Sequence, residues 1–130
     1  MATIFTRIIN GEIPCYKIAE DENHFAFLDI SPLAKGHTLV VPKQETDYIF
    51  DLEPQALAGL NLFAQRVAKA IDKAVPCTRV GIAVIGLEVP HAHVHLIPLQ
   101  NDSINFSQPK LKLEKEELEQ IAAAIRAAFV

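Results

Sequence analysis

At 130 residues, half of them hydrophobic and 22% charged, the chain has the size and composition of one folded domain, residues 1–130. That apolar content excludes disorder, and a formal net charge of -4 gives no overall attraction for a nucleic-acid backbone, although a local basic site stays open. No stretch approaches the roughly 18 uninterrupted apolar residues of a membrane helix, and no signal-peptide core follows Met1. Cys15 and Cys77 lie too far apart for a CxxC clip, so a cytoplasmic protein with two buried thiols is expected.

In chain order, a short helical turn is expected near Thr3–Asn10, broken at Gly11 and Pro14. Tyr16–Glu20 and His24–Ile30 read as strands joined at Asp21-Glu22-Asn23, and Ser31–Gly36 reads as a loop. His37–Val41 is β-rich and stops at Pro42. A long helix starts between Asp51 and Pro54, where an acidic residue and an early proline suit an N-terminus. Its apolar face is Leu57, Leu60, Ala64, Val67, Ala68, Ile71 and Val75, and Pro76 closes it. Val80–Ile85 reads as a strand, Gly86–Pro90 as a turn, and His91–Leu99 as another strand. A last helix covers Glu114–Phe129, with Leu118, Ile121, Ala122, Ile125 and Phe129 on one face and glutamates at its start. These elements predict an α+β fold with a largely antiparallel five-stranded sheet, one long helix and a C-terminal helix.

His91-Ala92-His93-Val94-His95 carries the chemistry. In a strand, alternate side chains share a face, so three imidazoles would lie about 6.7 Å apart while Ala92, Val94 and Leu96 face a core. Imidazoles are poor core fillers, and a row of them serves either metal binding or phosphoryl chemistry. The outer two would stand roughly 13 Å apart, too far to share one ion. A neutral imidazole can instead attack phosphorus while its neighbours donate hydrogen bonds to the oxygens. His24 alone reads as structural.

His91-Ala92-His93-Val94-His95-Leu96-Ile97 fits the His-φ-His-φ-His-φ-φ pattern (φ apolar) and resembles the histidine triad (HIT) family. Thr3–Pro14 is similar to that family's opening segment, and residues 25–32 and 35–43 to its nucleoside-binding hairpin. Nearly the whole chain is covered, least clearly after Leu99, and the branch most similar is that of the small nucleotide-binding phosphoramidases. The resemblance implies His93 as nucleophile, forming a nucleotidyl-histidine that water hydrolyses. It implies phosphate contacts from His95 and His37, support of the nucleophile by His91, and ribose contacts from Asp29. It places Phe5, Ile8, Phe27, Leu28 and Ile30 in the wall around the base, although Phe5, Ile8 and Phe27 by themselves read as core.

It further implies a homodimer, a purine nucleotide substrate such as an adenosine 5'-phosphoramidate, and no cofactor or metal. Rival readings are a nucleotide-binding regulator with little turnover and a dinucleoside polyphosphate hydrolase. The chain also departs from the pattern. Thr3 and Thr6 stand where some relatives carry a cysteine pair for structural zinc. Glu88, in Gly86-Leu87-Glu88-Val89-Pro90, replaces the hydroxyl of a Gln-Ser or Gln-Thr pair beside the α-phosphate. The loop before it is short and lacks a family asparagine, so the leaving-group end is where this chain differs.

Overall fold

Both faces of the sheet are built to be covered, and this decides where the site lies. The computed structural model describes residues 2–130. Five strands, β1 (Lys17–Glu20), β2 (His24–Leu28), β3 (Thr38–Pro42), β4 (Arg79–Ala83) and β5 (Val94–Leu99), form one sheet in the order β1-β2-β3-β5-β4. Every neighbouring pair is antiparallel, as the sequence predicts.

Strand alternation sends Ala26, Leu28, Val40, Val94 and Leu96 to one face, where α2 (Pro54–Ala74) and α3 (Lys115–Ala128) close the principal core. The long helix starts with Pro54 in its first turn and buries Leu60, Phe63, Ala64, Val67, Ala70 and Ile71. Phe63 and Ala70 extend the expected stripe, and Phe63 stacks on His24, their rings 5.0 Å apart. Asp21 accepts from His24 Nδ1 at 2.9 Å, so His24 is structural. Leu118, Ala122 and Ile125 seat α3 on the same core, with Ile121 and Phe129 at its margin.

The opposite face carries a smaller cluster. Phe25 and Phe27 of β2 and Leu39 and Val41 of β3 pack against Phe5 and Ile8 of α1 (Ile4–Ile9). Thr3 caps α1, its hydroxyl accepting from the Thr6 amide at 3.1 Å. With both faces occupied, β3 is buried at every position, which explains its unbroken Leu39-Val40-Val41 run.

Two shifts of strand boundary bear on the site. The strand expected over His91–Leu99 begins only at Val94, so His91 and His93 are not strand residues. Pro90 has no N–H to offer, the His91 amide turns back to Val89 O, and the Ala92 amide donates to Thr46 O at 2.7 Å. Pairing with β3 starts at Val94 opposite Val40. Strand β2 likewise ends at Leu28, leaving Asp29 at the head of the following loop. That loop returns to β3 through Gly36, whose φ of +96° suits glycine, and a Cβ there would meet Val75 and Pro98.

Candidate active site

The ends of β2, β3 and β5 converge on a cleft of about 200 Å³ lined by Asp29, His37, His93, His95, Glu88 and Lys110, with Phe106 and residues 85–87 completing it. His91 is outside it. The three triad histidines therefore do not form one straight row. His95 extends from β5, His93 sits just before that strand, and His91 is fully buried behind them.

The hydrogen bonds fix which nitrogen of each imidazole carries its proton. Leu33 N–H donates to His37 Nδ1 at 3.0 Å, so the His37 proton is on Nε2, which donates to His95 Nδ1 at 3.0 Å. His95 is thereby left with Nε2–H as a donor into the cleft. His93 Nδ1–H donates to the His91 carbonyl at 2.8 Å, which leaves the Nε2 lone pair free. One backbone amide and one backbone carbonyl thus orient an N–H donor and a free ring nitrogen beside each other, the His93 and His95 rings 5.0 Å apart.

His37 and His95 resist protonation. Burial, then the charges of His95 and Lys110, push His37 down to about 3. Burial, then His93 and Lys110, push His95 down to about 4. Both are neutral near pH 7, so the 3.7 Å approach of His37 Nε2 to Asp29 Oδ2 is not an ion pair. Asp29 moves the other way. Burial pushes its carboxyl up from the ordinary value, against the opposing pull of the Ser31 amide, Lys110 and His93. Its Oδ1 accepts from Ser31 N–H at 2.8 Å, which leaves Oδ2 with free acceptor capacity at the cleft wall.

His91 belongs to a separate network behind the cleft. Its Nε2–H donates to Pro42 O at 2.8 Å, and its Nδ1 accepts from the Thr3 hydroxyl at 2.7 Å. Glu45 Oε1 accepts from the Thr3 amide and the Thr6 hydroxyl. Burial lowers the His91 pKa, partly offset by Pro42 O and Glu45. The two threonines that stand in place of a cysteine pair therefore join Glu45 and His91 by hydrogen bonds.

Among the residues expected to wall the base, Phe5 packs edge-on against the His93 ring, centroids 4.9 Å apart, and against Phe27 at 5.6 Å. Phe5, Ile8 and Phe27 are all buried in the smaller core, and Ile30 is 66% exposed near the head of the loop. The expectation for Leu28 is corrected. Alternation along β2 turns its side chain into the principal core, away from Phe27 and the histidines. Glu88 does face the cleft, as an exposed residue at its mouth. Phe106 and Lys110 were not legible in the sequence. Their only signal was an aromatic and a cation in a polar, proline-containing stretch, Asn105-Phe106-Ser107-Gln108-Pro109-Lys110.

Among the described residues, Asp29, His37 and His95 bring potential metal donors within 4.8 Å of one another. An ion held there through His37 Nε2 and His95 Nδ1 would have to break the bond between those two atoms. The donor set is better matched to hydrogen bonding with a substrate than to a metal.

Known proteins share this architecture. Adenosine 5'-monophosphoramidase of Schizosaccharomyces pombe is 33% identical over 128 residues, covering 96% of each chain. The crystal structure of a HIT-like protein involved in cell-cycle regulation from Bartonella henselae superposes with a TM-score of 0.85 at 33% identity, covering 98% of this chain and 96% of that one. A zinc-bound histidine triad family protein from Mycobacterium smegmatis gives a TM-score of 0.82 at 31% identity, covering 98% and 93%. The HIT domain family model matches residues 10–102, well over half of the sequence and inclusive of every histidine. The chain belongs to the HIT-domain family.

Proposed function

We propose that this protein is a nucleotide hydrolase acting at the α-phosphate of a nucleoside monophosphate derivative, an adenosine 5'-phosphoramidate or a close analogue. The observation that carries the reading is the His93 Nδ1–H bond to the His91 carbonyl, which directs Nε2 to a cleft that also presents a neutral imidazole donor. His93 Nε2 attacks phosphorus in line, the P–N bond breaks, and the leaving nitrogen, protonated from solvent, departs as the free amine. The His93 imidazolium is stabilised by the His91 carbonyl, and His95 Nε2–H donates to a phosphate oxygen as charge builds there. Water then cleaves the nucleotidyl-His93 bond and returns the imidazole. Positioning and charge stabilisation carry the reaction, so no cofactor enters it.

Nucleoside recognition is assigned to Asp29 for the ribose hydroxyls, with Phe5, Ile8, Phe27 and Ile30 beside the base. The naming of the S. pombe relative supports the adenosine and phosphoramide parts of the reading. We assign the working unit as a homodimer formed through the β4 edge of the sheet. Strand β4 has a neighbour only on its β5 side, and Ile82 on it and Leu62 on α2 are both more than half exposed.

Turnover of adenosine 5'-phosphoramidate, a dinucleoside polyphosphate and a nucleotide sugar, compared on the purified protein, tests the reading. AMP release fastest from the phosphoramidate supports it. Tight AMP binding without turnover of any of the three would instead make the protein a nucleotide-binding regulator.

A further inference from the structure

The segment after β5 crosses back over the cleft and is held there at both ends. Gln108 Nε2 donates to Leu33 O at 3.2 Å, and the Leu111 amide donates to Pro32 O at 2.8 Å. Both acceptors lie in the loop that delivers His37 to the site. Just ahead of the first anchor the Phe106 ring packs edge-on against the His95 ring, centroids 4.8 Å apart. Lys110 Nζ donates to Phe106 O at 2.8 Å. That bond occupies one of three ammonium donors, so two remain for a ligand. Of the side chains lining the cleft, Lys110 alone among the described residues is a lysine or arginine.

We propose that Lys110 is a phosphate-binding residue, supplying the fixed positive charge that pairs with the α-phosphate of a nucleoside 5'-phosphate held beside His93. This inference rests on the nucleotide reading of the cleft and adds the counter-charge that reading lacks. The cleft also carries the carboxyl groups of Asp29 and Glu88. Without Lys110 a phosphate anion would enter between two acidic groups with neutral imidazoles as its only partners. His37 and His95 cannot take the role near pH 7, because burial keeps both uncharged. His95 Nε2–H donates a hydrogen bond, His37 orients it, and Lys110 supplies charge. A transferring phosphoryl group needs both.

The experiment compares AMP with adenosine by calorimetry on the wild type, Lys110→Met and Lys110→Arg. Lys110→Met keeps the aliphatic stem and removes the ammonium, and the position is exposed, so folding is not at stake. The exposure also screens the pair, and the expected loss in AMP affinity is about five- to tenfold. Adenosine affinity should change less than about twofold, and Lys110→Arg should restore most of the AMP affinity. Equal AMP affinity in wild type and Lys110→Met would overturn the assignment, as would a loss for adenosine as large as for AMP. A wild type that binds AMP no better than adenosine would instead overturn the nucleotide reading itself, and the Lys110 assignment with it.

Discussion

The two faces of the sheet divide the labour of this molecule. On one face, α2 and α3 cover an extended apolar core, and His24 there stacks on Phe63 as a structural ring. On the other, Phe5 and Ile8 of α1 cover four buried residues, and Phe5 is in ring contact with both His91 and His93. The large face holds the fold, whereas the small face holds His93, the proposed nucleophile. Burial on the small face serves orientation as much as stability, because the same packing that excludes water fixes the plane of an imidazole.

The comparison is broken most forcefully by paired substitutions, one on each face. Leu60 is fully buried under α2, and Leu60→Ala should cost about 2–5 kcal/mol of unfolding free energy. Turnover per folded molecule should stay near that of the parent. Phe5→Leu should cost less stability, yet lower turnover by roughly tenfold or more, since small misplacements of a reacting group are expensive. Denaturant unfolding and turnover normalised to the folded fraction check both. Loss of turnover in Leu60→Ala equal to that in Phe5→Leu would erase the distinction between the faces.

Asp29 sharpens the comparison at the cleft rim. A carboxylate oxygen free of other partners suits the vicinal hydroxyls of a ribose. Asp29→Ala should weaken AMP by about 1.5–3 kcal/mol and 2',3'-dideoxy-AMP by far less. Equal losses for the two ligands would remove Asp29 from ribose recognition.

A smaller effect is expected in the pH dependence of stability. His37 and His95 have folded pKa values of about 3 and about 4, below the ordinary 6.5. Between those limits the unfolded chain binds more protons, so stability rises with pH from about 3 to about 6.5 and levels off above. The limiting slope is about 1.4 kcal/mol per pH unit for each such histidine. His91 acts in the same direction, and the raised Asp29 opposes them just above its ordinary 3.8. His37→Gln should flatten the slope measured by urea unfolding between pH 4.5 and 6 (a window chosen inside those limits). An unchanged slope would mean that His37 is not held neutral by its surroundings.

The parts of the fold that repeat were the parts legible in the sequence. Pro54, the three- and four-residue spacing from Leu57 to Val75, and Pro76 delimit α2 to within a residue or two. Alternation correctly sent Val94 and Leu96 into the principal core while His95 lines the cleft. It failed on where pairing begins, because Val94 starts β5 through contacts with β3, and those depend on a distant part of the chain. It also could not assign Leu28, since a strand covered on both faces gives no polar side from which to read parity. Lys110 reaches the cleft by way of Pro32 and Leu33, more than seventy residues earlier. No local pattern encodes that return.

The central claim is that backbone hydrogen bonds leave His93 Nε2 as the free nucleophilic atom. Rapid quenching of the protein with excess adenosine 5'-phosphoramidate, followed by peptide mapping under alkaline conditions and phosphorus NMR of the labelled peptide, tests it most directly. The account predicts an adenylyl group bonded to Nε2 of His93, and no adduct in His93→Ala. An adenylyl group on Nδ1 of His93, or on His91, His95 or any other residue, would contradict it.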